Sequence, residues 1–461
     1  MIQRQTAAGR PAISTHSAPR RLASTLLFGI ALASCAVQAQ TADLLTVLKA
    51  AQDTDPTLRA ARSTLDLALL KVPEARAALL PTLGITGSHN VAKASTAFSG
   101  LPAIDRGGST NAITLQLVQP IFRLDSLLAT NQAALIVDGA QAQYEQARQD
   151  LLLRVASAYF EFNEATEALV DAEAQVAAMD RQLLEVSKGY DAGVRAVTDV
   201  DDTRARLSAA KALRIATKGD IESARADLER LTGTRYVTVS ALPDVVALPS
   251  PDPLDVHEWI ARARENNPQV VAQQASVAVA DLDISRARTG HLPTLDLVAN
   301  VSRNYAAHSL TTPDDYSTRA AQRDIGLQVN IPLFAGGAVM TRVNQAGVAL
   351  EKARADLDAA RRDAADATQH AFNGVMSQLA QVEALQLSVE ASERALKGNR
   401  EGFRVGYRTN VDVLNAEQQL YNARSGRSKA RYEAILQGLK LKAASGILTD
   451  GDLEKVGRLM R

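Results

Sequence analysis

Leu292-Pro293-Thr294-Leu295-Asp296-Leu297-Val298-Ala299-Asn300-Val301-Ser302 decides how this chain is read, because its pattern occurs twice. After Pro293, Leu295, Leu297, Ala299 and Val301 interleave with Asp296, Val298, Asn300 and Ser302. A period of two gives a strand with one apolar and one more polar face. A shift of 212 residues lays Leu80-Pro81-Thr82-Leu83 on the opening of this stretch, and Ile85 and Gly87 continue it. The same shift places Pro56 on Pro268 and Pro120-Ile121-Phe122 on Pro332-Leu333-Phe334. Before the later prolines a second alternation appears: Ile113, Leu115 and Leu117 against Thr114 and Gln116, then Ile325, Leu327, Val329 and Ile331 against Gly326, Gln328 and Asn330. Four strands are predicted, at about residues 82–98, 110–120, 294–306 and 320–332. Loops rich in Gly, Ser, Thr and Asp separate them, Ser99 to Thr110 and Ala307 to Thr318.

The repeat continues beyond the strands at an offset of 213. Gly189 and Gly193 meet Gly402 and Gly406, Asp199-Val200 meets Asp412-Val413, and Gly233 meets Gly446. So long a period marks a duplicated structural half rather than a short solenoid unit. The halves are residues 40–242 and 256–446. Between them lies an extended strap, residues 243–255, with Pro243, Pro249, Pro251 and Pro253, and a tail follows at 447–461.

All 15 prolines lie at or before Pro332, and none falls between Ile121 and Leu242. Two proline-free segments result, and each predicts a helix, about residues 121–188 and 333–400. At 1.5 Å per residue each would be about 100 Å long, several times the usual globular helix. Val155, Phe162, Leu169, Val176 and Leu183 recur every seven residues, as do Val375, Val382, Val389 and Leu396. A sustained heptad predicts coiled-coil packing against neighbouring helices. Each long helix then meets paired glycines, Gly189/Gly193 or Gly402/Gly406, which end a helix and permit reversal. Return helices are predicted at about 199–232 and 411–445.

Arg20 and Arg21 precede the apolar run Leu22 to Ala33, and Val37-Gln38-Ala39 forms a small-residue cleavage site. Residues 1–39 therefore read as an export signal. A competing pattern is a lipobox, Leu32-Ala33-Ser34-Cys35, which would leave Cys35 acylated. Cys35 is the sole cysteine, so neither outcome provides disulfide or thiol chemistry in the mature protein. The formal charge of zero includes four arginines and no acid in residues 1–39, leaving 47 basic against 51 acidic residues beyond them. Nothing in that balance suggests a nucleic-acid partner. Aromatics make up only 4%, sparse for several compact cores and usual for long Ala-rich helices.

No other stretch approaches the roughly 18 apolar residues of a membrane helix. The alternating strands carry the membrane signal instead: after an export signal, an apolar face without a partner in the sequence suits a transmembrane β-barrel. Four strands cannot close a barrel, and open edges do not exist in a bilayer. Several chains would have to share one barrel.

Val405-Gly406-Tyr407-Arg408-Thr409-Asn410-Val411-Asp412-Val413-Leu414-Asn415-Ala416, together with the duplicated plan, resembles the TolC family of outer-membrane channel proteins. Tyr421-Asn422-Ala423-Arg424 and Leu439 to Gly446 are similar to the members that serve type I secretion. The likeness spans about residues 41 to 455. It implies an α+β membrane protein of the Gram-negative outer membrane, a homotrimer. Its twelve-stranded barrel, four strands per chain, would continue into a long periplasmic helical barrel with a mid-length girdle. It also implies outer-membrane lipid around the barrel, a periplasmic adaptor and an inner-membrane ABC transporter as partners, and an exported protein, such as a toxin, as cargo. Two alternatives stay open: the outer-membrane component of a small-molecule efflux pump, and a periplasmic coiled-coil adaptor.

The six histidines are scattered without metal-ligand spacing, and no P-loop or dinucleotide turn follows a strand. No enzyme, cofactor or metal is expected. What the resemblance implies is a periplasmic gate at the second glycine turn. By position Arg408 matches the family's gating arginine, Thr198 and Asp199 its partners in the first half, and Asp412 an acidic ring in the lumen. Phe403 stands where the family often has a tyrosine, and Asn415 where a second acidic ring would be. The residues themselves also allow a surface ion pair for Arg408 and Asp199, and a helix-dipole role for Asp412.

Overall fold

The computed structural model describes residues 42–460, apart from residues 98, 101, 245, 309 and 311–315. The expected signal segment 1–39 and Cys35 lie outside the described residues.

Each half starts with two helices that the sequence pattern had not indicated. In the first half these are α1 (Leu44–Thr54) and α2 (Pro56–Ala77). Prolines at the first helical position open α2 and its counterpart, where a missing N–H costs nothing. Asp55 caps α2 through the Leu58 N–H at 2.8 Å. Strands β1 (Thr82–Thr96) and β2 (Ile104–Phe122) follow, then the long helix α3 (Leu124–Asp191) and its return α4 (Val197–Thr232). The second half repeats the order: α5 (Val256–Asn266), α6 (Pro268–Arg288), β3 (Thr294–Ala307), β4 (Thr318–Asn330), α7 (Ala338–Arg404) and α8 (Asn410–Ala444). A last helix, α9 (Asp450–Leu459), occupies the tail, with Thr449 and Asp452 forming a capping box. At 68 and 67 residues, α3 and α7 each extend about 100 Å.

The four strands form one antiparallel sheet in sequence order. Leu83, Ile85, Leu115, Ile325, Leu327 and Val329 are exposed, as alternation on an uncovered face requires. No described helix is long and apolar enough to cross a membrane.

Two boundaries differ from the sequence expectation. Strand β2 begins at Ile104 rather than near residue 110, because its pairing with β1 runs without a break from Val118 to Ile104. A glycine- and serine-rich segment gives no alternating signal, yet its backbone still pairs. In the second half the strand ends at Asn330 and the helix starts at Ala338, not 333. Gly336 and Gly337 take φ of 59° and 82°, a conformation no helix interior accepts. In the first half β2 instead passes through a bulge at Pro120 to Phe122, and α3 starts one residue after Arg123. Arg123 ties this junction to the sheet, donating to both carboxylate oxygens of Asp296 at 2.9 and 2.8 Å.

The main core is a belt midway along the helices. Leu44, Val47 and Leu48 of α1 pack with Leu152, Val155 and Tyr159 of α3, Leu228 of α4, Tyr432, Ile435 and Leu439 of α8, and Leu453 and Val456 of α9. The heptad residues Val155, Phe162, Val176, Val375, Val389 and Leu396 are all buried. Buried hydroxyls are satisfied: Tyr159 donates to the Ala42 and Ser240 carbonyls at 3.1 and 3.0 Å, and Tyr432 to Glu167 at 2.6 Å.

Candidate functional site

The far end of the helices, opposite the sheet, gathers the residues singled out above. Both reversals are built alike. Gly193 and Gly406 have φ of 72° and 84°, and the chain folds back through Val194 N–H to the Gly189 carbonyl and Tyr407 N–H to the Gly402 carbonyl, at 2.9 and 2.8 Å. In each turn an arginine stem lies on the first glycine. A Cβ on Gly189 would stand 2.5 Å from Arg195 Cγ, and one on Gly402 2.6 Å from Arg408 Cγ. Glycine at these two positions answers a close approach rather than a special φ.

Beyond that point the turns diverge. Arg195 crosses to the second turn, where its guanidinium lies 3.8 Å from the centre of the Phe403 ring and donates to the Phe403 carbonyl at 3.1 Å. Phe403 is buried, packed with Val186, Val200, Leu396 and Val413. It anchors the second turn to the first hairpin. Arg408, the repeat equivalent of Arg195, is exposed, and no ion pair joins it to Asp199 within the chain. Thr198 is exposed at the start of α4, next to Asp199.

Asp412 caps α8. Its carboxylate accepts from the Thr409 N–H and hydroxyl, both at 2.9 Å, while the Asp412 N–H returns to Thr409 Oγ1 at 3.2 Å. The Thr409 N–H and hydroxyl, and then the charge of Arg408, hold this carboxyl below the usual aspartate range. Asn415 is exposed and accepts from Arg206 of α4 at 3.0 Å. Where a second acidic ring was considered, an amide and an arginine stand instead.

One cluster escaped sequence reasoning. Asn410, buried at the start of α8, donates to Thr203 Oγ1 at 2.8 Å and to the Asp199 carbonyl at 3.1 Å, and accepts from Gln182 Nε2 at 2.8 Å. Three distant residues from α3, α4 and α8 thus lock the two hairpins together. The signal that could have found them is the repeat itself: Gln182, Thr203 and Asn410 correspond to Ala395, Ala416 and Val197. Polar side chains in one copy against apolar or small ones in the other mark where the copies touch each other.

A four-stranded sheet with a bare apolar face, continuous with two helical hairpins whose longer arms reach about 100 Å and end in two polar turns, defines an outer-membrane channel with a periplasmic tunnel. The family described as outer membrane efflux protein matches residues 47–234 and 259–447, and the chain belongs to that family. The two matched segments coincide with the two halves. Among curated relatives, outer membrane protein TolC of Escherichia coli (strain K12) is 29% identical over 439 residues, covering 93% of this chain and 87% of that protein. The proteases secretion protein PrtF of Dickeya chrysanthemi is 29% identical over 440 residues, covering 93% of each. Among solved structures, the outer membrane protein VceC of Vibrio cholerae superposes with a TM-score of 0.72 at 20% identity, covering 87% of this chain and 96% of that one. The protein is accordingly a TolC-family channel of the Gram-negative outer membrane, related to the secretion members of the family, with its helices in the periplasm.

Proposed function

We propose that three copies of this chain form the outer-membrane conduit of a type I secretion system, carrying a protein from an inner-membrane ABC transporter through a periplasmic adaptor to the exterior. The observation that carries it is the sheet. Strands β1 and β4 are edges without a partner among the described residues, and a bilayer tolerates no open edge. Three such sheets edge to edge make twelve strands, and six helical hairpins continue them as a tunnel. The likeness to a protein named for protease secretion supports a protein cargo.

The mouth of this tunnel is held at the second glycine turn. Arg408, exposed and unpaired with Asp199 in its own chain, reaches across a subunit boundary to Thr198 and Asp199. Asp412 contributes negative charge to the lumen, while the pairing of Asn415 with Arg206 makes the mouth less acidic deeper in. Gene deletion tests the cargo. Loss of a secreted protein from the culture supernatant, with drug sensitivity unchanged, is the expected outcome. Raised drug sensitivity with intact secretion would reassign the channel to small-molecule efflux.

A further inference from the structure

The apolar face of the sheet ends in a cluster of arginines that the conduit does not use. Cross-strand pairing places Leu83, Leu117, Ala299 and Ile325 in one row on this face, with Ile85, Leu115, Val301 and Arg323 in the next. Moving away from the helices, the rows continue as Gly87, Ile113, Arg303 and Ala321, then His89, Asn111, Tyr305 and Arg319. Arg303 therefore sits diagonal to both Arg319 and Arg323 on the neighbouring strand, within reach of long side chains. All three are exposed, and the Arg319 guanidinium lies 5.5 Å from the centre of the Tyr305 ring.

The height of this cluster is set by the strand. Phe122, paired with Leu295, marks the end of the face nearest the helices, and Tyr305 lies ten residues further along β3. At about 3.3 Å per residue and a tilt of about 40°, that spans roughly 25 Å, the height of the apolar band of an outer-membrane barrel. The helices are periplasmic, so Arg319 falls where the hydrocarbon of the outer leaflet ends, and Arg303 and Arg323, about 5 and 10 Å deeper by the same rise, reach towards that level with their long side chains. Lys93 stands above them on the same face.

Charge is segregated across the sheet. Asp296 and Asp324 point to the opposite face, bonded to Arg123 and Asn300. On the apolar face the acid among the described strand residues is Asp105, out near the tip opposite Ser95. None of the three arginines has a carboxylate partner among the described residues. Neighbouring like charges repel across a sheet unless an anion lies between them. Guanidinium groups grip phosphate oxygens in a two-point fork, which ammonium groups do not reproduce.

We propose that Arg303, Arg319 and Arg323, with Tyr305 beside them, bind the phosphate groups of the phosphorylated glycolipid that forms the outer leaflet. Each chain carries one such site, facing lipid. The proposal rests on the outer-membrane location and is independent of which cargo the channel exports.

The test uses the full-length protein purified in detergent and titrated with lipid A carrying both phosphates, or with the same lipid enzymatically dephosphorylated, bound lipid being counted by native mass spectrometry. Wild type should hold the phosphorylated lipid about tenfold more tightly than the dephosphorylated one, and the triple variant R303Q/R319Q/R323Q should lose that preference. The triple lysine variant should keep only part of it. If the triple variant does not fold, Arg303→Gln alone should reduce the preference several-fold. Equal binding of both lipids by wild type would overturn the proposal, as would an undiminished preference in the glutamine variants. So would full displacement of the lipid by millimolar inorganic phosphate, which would make the site one for the free ion.

Discussion

Tyr190 and Phe403 occupy the same position in the two halves, yet Tyr190 is 47% exposed and Phe403 only 2%. Arg195 and Arg408 show the reverse inequality: the first is held inside its own chain against Phe403, the second points outward. A duplicated sequence has thus given one arginine that serves the internal joint between hairpins and one that stays exposed. Duplication supplies two equal frames. Function requires that a few side chains then differ, and those few lie where the frames meet.

Making the copies alike should be costly at the buried joint. Asn410→Val gives the second half the residue found at Val197; it removes the bonds to Thr203 and the Asp199 carbonyl, which keep each other, and leaves the buried Gln182 amide without its acceptor. A loss of about 3 kcal/mol is expected, because unsatisfied buried groups carry the full desolvation cost. Thermal unfolding in detergent measures it. The reverse exchange, Val197→Asn, falls on an exposed side chain and should change little. Equal effects from the two substitutions would break the asymmetry.

A second difference lies at the helix caps. Asp55 and Asn267 are equivalent N-caps, but Asp55 also accepts from Arg154 at 3.0 Å, while Asn267 donates to the Ala444 carbonyl at 2.9 Å. Burial pushes the Asp55 carboxyl up, but the hydrogen bonds from Arg154, Thr57 and the Leu58 N–H outweigh it and bring it to about 2. A carboxylate depressed on folding stabilises above its unfolded pKa, and that contribution is lost as pH falls towards about 2. Asp55→Asn should therefore cost about 2 kcal/mol at neutral pH and progressively less in acid. Urea unfolding at several pH values would show whether the difference converges.

The paired arginines separate stability from gating. Arg195→Ala should lower stability by about 1 kcal/mol through loss of the ring contact and the Phe403 hydrogen bond. Arg408→Ser with Asp199→Ala should leave the melting temperature nearly unchanged while raising single-channel conductance in planar bilayers. Unchanged conductance would sink the gate. The smallest structural effect belongs to Asp412→Asn, which keeps a capping side chain but removes charge. Cation preference and block by multivalent cations should weaken. In wild type that preference should persist as pH falls from 7 and fade only below the ordinary aspartate range, because the Thr409 bonds favour the charged form.

The strands, the long helices and the repeat were legible because each rests on a period. Alternation in Leu295 to Val301, heptads from Val155 to Leu183 and the recurrence of Gly189/Gly193 all survive in a bare sequence. What stayed hidden lacks a period. Residues 104–109 join the ladder with β1 but carry no alternating apolar pattern that could announce them. The capped prolines Pro56 and Pro268 open α2 and α6, whereas α1 and α5 are short and carry no comparable signal. Gln182, Thr203 and Asn410 look like surface residues until the hairpins are brought together, since burial of a polar group becomes acceptable only when its partners arrive. The gate assignment rests on family likeness alone, whereas the inward lock of Arg195 on Phe403 had no signal in the sequence.

The two routes from sheet to helix have a mechanical consequence. In the first half a single residue, Arg123, separates strand from helix, and its two bonds to Asp296 fix the helix direction to the sheet. In the second half residues 331–337 intervene, with two glycines of positive φ and with Leu333 and Phe334 almost wholly exposed. One connection transmits bending and torque; the other absorbs it. In the proposed trimer, stiff and compliant struts would alternate, so a twist applied at the far mouth would be spent in the soft struts before it strained the membrane wall.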